Sequence, residues 1–390
     1  CTSRKIVFKK PRSIIKYHYK GKMYLQQNTR IDFCVTLDHR IFVQKRSNRK
    51  YKELVLKSVE EVKGKRTVYD VGFEWEGVDK KYFVLPPTKM LYTGPKTDRS
   101  RIKEAVLSYL NRNSTFTEIA REYDIDYRTL SKYVNKTKQE SLGVIEGKSV
   151  EAKKIPMDLW VSFFGWYISE GTVPNRKDRP SSYGVEVKQK GKWVNEIRAI
   201  FKKMSEILNC KLSETLEGNK TTFTLWSKQL AEYLKTFGHA KDKYIPKELK
   251  NLNKRLLRRL FEGLIKGDGE PHGRGWRYYT ISKRLADDVQ EIALKLGYGA
   301  IISRKGNGYY VHICRTPRVH VNHGKQTDRF VDYDGMVYDV DVGGDGIVFV
   351  RRNGKPVWSG NCPNMPIPEG FFEVEYEGMR DILPFPKQTN

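Results

Sequence analysis

The sequence predicts a multidomain protein in which an all-β domain is interrupted by a small helical module and by an α+β domain with an internal repeat. Runs of β-branched and aromatic residues fill both ends of the chain, helical periodicity begins near residue 101, and two similar apolar segments each end in a carboxylate flanked by glycine. The predicted boundaries are a first β half at 1–95, the helical module at 96–150, the repeated domain at 151–320, a second β half at 321–361, and a tail of different character at 362–390.

Charge and composition restrict the class of partner. The chain has 390 residues, enough for two or three domains, and its net charge of +27 favours a polyanion such as DNA or RNA. We expect no signal peptide, and the sequence contains no apolar run of membrane-spanning length. The five widely spaced cysteines form neither a metal-binding pattern nor a disulfide framework. We therefore expect an intracellular, cytoplasmic monomer without a membrane segment.

Two similar strand units suggest that the β domain has two related halves. Val68–Val71 and Val337–Val340 share the sequence Val-Tyr-Asp-Val, and a further apolar run follows each of them. Because the two copies lie far apart along the chain, they predict a pseudo-symmetric β domain with a large insertion between its halves.

Residues 101–134 have the pattern of a helix-turn-helix. Thr115 and Glu118 form a capping box before the second helix, and Asp124 takes the turn position where glycine is common. The apolar positions predicted to face inward are Ile102, Ala105, Val106, Tyr109, Leu110, Ile119, Ala120, Tyr123, Leu130, Tyr133 and Val134. The residues predicted to face a DNA major groove are Tyr127, Arg128, Ser131 and Lys132. A helical hairpin without a role in DNA binding is the alternative.

The internal repeat consists of Phe163–Gly171 and Phe261–Gly269, each with small residues four positions apart. That spacing lets two helices approach closely. If these helices pack side by side, the terminal carboxylates Glu170 and Asp268 meet and attract a divalent cation such as Mg²⁺. A metal there can activate water and stabilise a departing 3′ oxygen in phosphodiester cleavage. The alternative is two glycine-capped helix ends, each with a surface acid.

These segments, together with the similar runs Trp226–Ala231 and Ile281–Ala286, resemble the two-motif LAGLIDADG homing endonucleases. The resemblance implies a pseudo-two-fold α+β fold with αββαββα repeats, whose strands lie over the major groove of double-stranded DNA that carries the uninterrupted host-gene site. It also implies that Glu170 and Asp268 bind the catalytic Mg²⁺. Lys243 resembles a basic residue near the cleavage centre of intein-borne members, and the alternative for it is a solvated lysine.

The two β halves resemble the Hint-type splicing domain of inteins. Thr36–His39 matches the TxxH block, the strand with Asp339 matches the penultimate block, and Val357–Cys362 matches the last block. The resemblance implies that His39 polarises the peptide bond before Cys1 and protonates its departing nitrogen, while Thr36 supplies a nearby hydroxyl. It also places Asp339 near the junctions, as a residue that shuttles protons.

The implied splicing reaction needs no cofactor and joins the flanking exteins in cis. Cys1 attacks the preceding carbonyl to give a thioester, Cys362 takes over the upstream segment, and Asn361 cyclises to release the downstream one. Gly360 stands where the family usually has histidine, and the preceding block also lacks its usual histidine, so we expect C-terminal cleavage that is slower or differently assisted. Two alternatives are a hedgehog-type autoprocessing domain that cleaves without ligation, and a DNA-binding protein of LAGLIDADG descent without cleavage activity.

Overall fold

The chain divides into two compact units. The computed structural model describes residues 6, 8, 10–47, 50–90, 99–140, 148–174, 183–321, 327–342 and 346–360. One unit contains the described chain up to Asp79 together with that from Ala240 onward, and the other contains Lys80–His239. No helix among the described residues is long and apolar enough to cross a membrane. The first unit is therefore discontinuous in sequence, with the second unit inserted into it.

Helices and strands alternate in blocks along the chain. The α-helices are α1 (Val59–Val62), α2 (Arg99–Asn111), α3 (Phe116–Glu122), α4 (Tyr127–Glu140), α5 (Met157–Glu170), α6 (Val194–Leu208), α7 (Lys228–Lys235), α8 (Lys247–Lys250), α9 (Lys254–Asp268) and α10 (Lys283–Lys295). The strands are β1 (Ser13–Gln27), β2 (Asp32–Thr36), β3 (Ile41–Ser47), β4 (Lys50–Lys57), β5 (Thr67–Asp70), β6 (Tyr82–Leu85), β7 (Thr88–Met90), β8 (Lys148–Val150), β9 (Lys153–Pro156), β10 (Gly171–Thr172), β11 (Gly184–Lys190), β12 (Lys211–Glu217), β13 (Lys220–Trp226), β14 (Gly269–His272), β15 (Gly275–Thr280), β16 (Gly299–Lys305), β17 (Gly308–Cys314), β18 (Arg318–Val321), β19 (Asp328–Asp341), β20 (Val348–Arg352) and β21 (Lys355–Ser359).

Strands from both ends of the chain pair within the first unit. β1 and β19 are antiparallel from Ser13 opposite Asp341 to Gln26 opposite Asp328, and β2 pairs with the other edge of β1. β20, β21, β3 and β4 form a second sheet, and β5 pairs with β18. Their shared core consists of Tyr24, Ile31, Phe33, Ile41, Val43, Val59, Val62, Tyr69, Val71, Val319, Val321 and Val357. The chain before Asp79 and the chain after Arg318 therefore build one β domain.

Helices α2, α3 and α4 form a three-helix module with its own core. Thr115 caps α3, because its hydroxyl accepts the Glu118 N–H while the Glu118 carboxylate accepts the Thr115 N–H. Asp124 adopts a φ of 51°, the left-handed conformation expected at the turn. The buried core residues are Ile102, Ala105, Val106, Ile119, Ala120, Ile125, Leu130 and Val134. Leu110 is the exception to the predicted inward face, because its side chain is 39% exposed at the end of α2.

The internal repeat appears as two four-stranded sheets with the same strand order. The first sheet runs β10-β11-β13-β12 and the second β14-β15-β17-β16. In each repeat a long helix leads into the first strand and another helix separates the two hairpins, which are α5 and α6 in the first and α9 and α10 in the second. The first repeat is thus αββαββα, whereas in the second the last strand continues directly into β18. The predicted duplication is present in the fold.

Residues 80–90 differ from the sequence-based expectation. They fall within the predicted β half at 1–95, but β6 pairs with β9 and β7 with β8, all within Lys80–His239. Phe83 of β6 stacks on Trp160 of α5, with ring centroids 3.9 Å apart and planes 5° from parallel. Burial of this aromatic pair ties the segment to the first repeat instead.

Within the first unit, the β domain and the second repeat share polar contacts. The Trp75 indole N–H donates to the carbonyl of Leu252 at 2.8 Å. The Lys295 ammonium is fully buried, lies 4.0 Å from the centroid of the Trp75 ring, and is 2.7 Å from the Glu291 carboxylate. Desolvation lowers the pKa of Lys295, although Glu291 opposes this effect. These contacts make the second repeat part of the β domain's compact unit.

Candidate functional site

His39 lies just after β2 and contacts the far end of the chain. Its backbone N–H donates to the carbonyl of Thr36 at 3.2 Å, and its Nε2 lies 2.7 Å from Oγ of Ser359. Loss of hydration lowers the pKa of His39 to about 4, with Asp38 opposing and Arg40 reinforcing the shift. The imidazole is therefore neutral at neutral pH and can both donate and accept a proton.

Strand β21 is held against the residues that follow His39. β21 meets β3 through Ser359 opposite Ile41, and the N–H of the buried Gly360 donates to the carbonyl of Arg40 at 3.0 Å. A Cβ at Gly360 would lie 2.8 Å from that carbonyl oxygen. The backbone at this point therefore leaves little room for a side chain.

The reacting residues predicted for splicing, Cys1, Asn361 and Cys362, lie outside the described residues. Thr36 is buried opposite Met23, whereas Asp339 is opposite Ile15, on the same strand β1. Eight residues of extended strand span about 26 Å. Asp339 and Thr36 thus pair with β1 at positions eight residues apart, and the Asp339 carboxylate accepts the N–H of the following Val340 at 2.7 Å.

The two motif helices end in matching geometry. Glu170 is the last residue of α5 and Asp268 the last of α9, and each is followed by a glycine in extended conformation (φ −89°, ψ 153° and φ −99°, ψ 149°). The N–H of each glycine donates to the carbonyl four residues earlier, and a Cβ would lie 2.5 Å from that oxygen. A side chain at either glycine would therefore clash with the backbone of the preceding helix. The two motif helices end in the same way, with a carboxylate followed by such a glycine.

Lys243 is a buried residue, which excludes the alternative of a solvated lysine. Its side chain is 8% exposed. The Ser282 hydroxyl, at the cap of α10, donates to the Lys243 carbonyl at 2.7 Å. Two residues on, the Ile245 N–H donates to the buried Asp288 carboxylate at 2.8 Å. The segment around Lys243 is thus fixed against α10.

An aromatic and basic cluster, which the sequence did not single out, lies on one face of the second sheet. Tyr310 of β17 has the Arg277 guanidinium 4.6 Å, the Lys305 ammonium 5.4 Å and the Tyr279 ring 5.2 Å from its centroid. The neighbouring Tyr278 is fully buried, so alternation along β15 turns Tyr279 outward. In the sequence, the alternation of buried and exposed positions across the pair Tyr278 and Tyr279 was the only feature that could have indicated this cluster.

The four residues predicted to face DNA lie on α4 and differ in exposure. Tyr127 is 51% exposed and packs its ring edge-on against Phe116, with centroids 5.8 Å apart. Arg128 and Lys132 are exposed, and Ser131 is half-buried. Helical spacing places Arg128 and Lys132 opposite the buried Leu130 and Val134, whereas Tyr127 and Ser131 lie beside these buried residues.

Comparison with known families gives a match to the second repeat. Residues 255–335, from α9 into β19, match the family model of the LAGLIDADG-like domain. Solved structures similar to this chain include the homing endonuclease I-DmoI in complex with DNA and Mn (18% identity, 40% of this chain, 89% of that chain, TM-score 0.34). Another is the homing endonuclease I-WcaI bound to its DNA recognition sequence (16% identity, 41% of this chain, 76% of that chain, TM-score 0.30).

Two curated proteins with unrelated names are similar to most of the chain. One is the ATP-dependent Clp protease proteolytic subunit of Chlamydomonas moewusii, 22% identical over 293 residues, which cover 74% of this chain and 24% of that protein. The other is the DNA-directed RNA polymerase subunit beta C-terminal section of Stigeoclonium helveticum, 23% identical over 421 residues, which cover 91% of this chain and 33% of that protein. The chain thus spans a third or less of each relative.

Proposed function

We propose that the protein is an intein that excises itself by protein splicing and carries a site-specific double-strand DNA endonuclease of the LAGLIDADG type. One observation carries this proposal. Glu170 and Asp268 are the last residues of corresponding helices in two repeats that have the same strand order. The family match to residues 255–335 supports the endonuclease. The hydrogen bond between His39 and Ser359 supports the splicing domain, because it joins the TxxH block to a residue two positions before Asn361.

The endonuclease would use Glu170 and Asp268 to hold Mg²⁺ at the scissile phosphate. Magnesium bound through one or two carboxylates takes its other ligands from water and substrate phosphate. The carboxylates at the ends of the two motif helices are oxygen ligands of the type that Mg²⁺ prefers. When bound, the metal supplies activated water and charge stabilisation at the leaving oxygen. Lys243 would balance the charge of the phosphate.

DNA would be held by two surfaces on the described chain. The Tyr310 cluster, with Arg277 and Lys305, offers cations and aromatic faces on an exposed sheet. The outward side of α4 offers Arg128 and Lys132 as contacts to the backbone or bases of a major groove. The net charge of +27 would add a non-specific attraction that weakens as salt increases.

In splicing, the Sγ of Cys1 would attack the preceding carbonyl carbon, forming a C–S bond as the C–N bond breaks. The thiol proton is lost and the departing nitrogen gains one, so His39 would give a proton to nitrogen and recover one from sulfur. Cys362 would then accept the acyl group by thioester exchange. The side-chain nitrogen of Asn361 would attack the backbone carbonyl carbon of the same residue and break the peptide bond to Cys362. This would release the tail and leave a succinimide on the intein.

The curated relatives favour an insertion over an ordinary enzyme domain. A protease subunit and a polymerase subunit share no named function, yet each contains a segment similar to most of this chain. An element carried within unrelated host proteins would give this pattern, since the similar segment is only a minor part of each.

A cleavage assay tests the endonuclease. Plasmid carrying the uninterrupted host-gene site is incubated with the protein with and without Mg²⁺. We expect the Glu170→Gln/Asp268→Asn double variant to lose cutting and nicking while it retains DNA binding, and Glu262→Gln, an exposed residue of α9, to leave both unchanged. Equal nicking by the double variant would reject these roles, and DNA binding without any nicking by the wild type would favour an inactive LAGLIDADG domain.

Mass spectrometry of a fusion with foreign flanks tests splicing. We expect the wild type to give the ligated product. Asn361→Ala should abolish release of the tail, while an added thiol still cleaves before Cys1, because thioester formation does not need Asn361. Tail release at the wild-type rate from Asn361→Ala would reject the assignment.

A further inference from the structure

A cleft of about 350 Å³ lies within the first unit, where the second repeat meets the tip of the β20–β21 hairpin. From the second repeat its lining includes Lys283 at the start of α10, Arg304 of β16 and Tyr309 of β17. From the hairpin it includes Arg351 and Asn353. The three charged side chains of this lining are all cations, so the hairpin cleft is suited to an anion.

The hairpin cleft lies on the opposite face of the second sheet from the Tyr310 cluster. Arg304 pairs directly with Tyr309 across the two strands, and residues paired in this way share a face. The Lys283 ammonium lies 5.9 Å from the centroid of the Tyr309 ring, which identifies this face as the one that carries α10. The next residues, Lys305 and Tyr310, alternate to the other face, where they contact each other. Positive charge therefore continues around the end of the edge strand β16 from one face to the other.

The cations of the hairpin cleft are only partly neutralised. The Asp287 carboxylate accepts from the Lys283 ammonium at 2.6 Å and from the Arg351 guanidinium at 2.7 Å. The same guanidinium donates to the side-chain oxygen of Gln290 at 2.9 Å. Arg304 has no ion-pair partner in the part of the chain that the structure describes. One carboxylate thus serves three cations, and it holds two of them in place.

The tip of the hairpin is bonded on both sides. The Gly354 carbonyl accepts the Ile302 N–H at 2.9 Å and the side-chain amide of Gln290 at 2.8 Å. The Asn353 side-chain amide donates to the buried Asp32 carboxylate at 3.0 Å. These bonds hold the tip between the second repeat and the β domain. The cations from both sides of the cleft are therefore positioned before a ligand arrives, which reduces the entropic cost of binding.

We propose that the hairpin cleft binds a backbone phosphate of DNA. A guanidinium pairs with a phosphate through two parallel hydrogen bonds, and lysine adds a point charge. Asparagine and tyrosine side chains also donate to phosphates in protein–DNA complexes. Because Arg304 and Lys305 connect the two faces of the sheet, we expect this phosphate to belong to the duplex that contacts the Tyr310 cluster. The inference rests on the proposed DNA binding, and it makes the β20–β21 hairpin of the β domain a further contact to DNA.

Charge-removing variants of the full-length protein test the proposal. Arg304→Gln and Arg351→Gln each remove one cation from the cleft, and Arg304→Lys keeps the charge. Arg304 has no internal ion pair to lose, so its substitution should leave the fold intact. Arg329→Gln is the matched control, because Arg329 is an exposed arginine of the same unit, on β19. Two quantities are measured on duplex DNA carrying the uninterrupted host-gene site: the dependence of affinity on salt, and the loss of binding caused by ethylation of single phosphates.

We expect Arg304→Gln and Arg351→Gln each to bind DNA about tenfold more weakly. The slope of log affinity against log salt should decrease in magnitude by about one in each. One phosphate whose ethylation weakens the wild type should have no effect in either variant, because both cations contact that phosphate. Arg304→Lys should keep the wild-type slope, and Arg329→Gln should alter neither quantity.

Unchanged slopes and the wild-type ethylation pattern in both glutamine variants would overturn the inference and leave the proposed endonuclease standing. The expected losses in a protein that binds DNA without cutting it would support the cleft and reject the endonuclease. A wild type that does not bind DNA would reject both.

Discussion

At the scale of single residues, burial determines the charge of the His39 imidazole. The pKa of His39 falls from an ordinary value of 6.5 to about 4, mainly because the charged form loses hydration. Between these values the unfolded chain binds a proton that the folded chain does not. The contribution of the neutral His39 to the free energy of unfolding is therefore complete above pH 6.5 and is lost as the pH falls toward 4.

The pH dependence gives a prediction for His39. We expect the free energy of unfolding of the first unit to fall by roughly 2 kcal/mol more in the wild type than in His39→Gln over this acidic window. Glutamine retains a polar side chain but does not titrate. Urea denaturation at a series of pH values measures the difference, and parallel pH curves for the two proteins would contradict it.

At the scale of elements, the helical module shows a clear division between core and surface on one helix. Leu130 and Val134 of α4 are fully buried, whereas Arg128 and Lys132 are exposed. Because the structural and the proposed binding residues lie on different sides of α4, their roles can be separated by substitution.

For α4 we predict that Arg128→Ala and Lys132→Ala each weaken DNA binding with little change in stability. If each cation contacts a phosphate, the slope of log affinity against log salt should decrease in magnitude by about one per substitution. Lys20→Ala, an exposed lysine of β1, is the control and should leave the slope unchanged. Binding isotherms at several salt concentrations measure this slope. Equal slopes in all variants would indicate a helical module without a role in DNA binding.

At the scale of the molecule, the β domain and the second repeat behave as one compact unit. Lys295 and Lys283 are both on α10 and each pairs with a carboxylate four residues away, but Lys295 is fully buried and Lys283 is 51% exposed. Removing one partner of a buried pair leaves an uncompensated charge, whereas an exposed pair contributes little.

We therefore predict that Lys295→Met destabilises the first unit by about 3–5 kcal/mol and Lys283→Met by less than about 1 kcal/mol. Trp75 fluorescence and hydrogen exchange in α10 should report the same transition, because the two regions are in contact. Separate transitions for these two probes would show that the β domain and the second repeat unfold independently.

The sequence predicts the features of this fold that depend on neighbouring residues better than those that depend on contacts between distant residues. The capping box at Thr115, the turn at Asp124 and the two glycine-flanked helix ends depend on neighbouring residues, and the structure shows all of them. The pairing of β6 with β9, the burial of Lys243 and the bond between His39 and Ser359 depend on residues far apart in the chain. Periodicity identifies a strand but does not specify its partner.

The pairing of β1 with β19 has a consequence for the order of events during synthesis. Residues near Tyr24 meet residues near Asp328, 304 positions later, so ribosomes must add that intervening chain before the pair can form. At cellular rates this takes roughly 15–60 s, during which the inserted unit can already fold. The long separation thus delays completion of the β domain until most of the chain, including the inserted unit, has been synthesised.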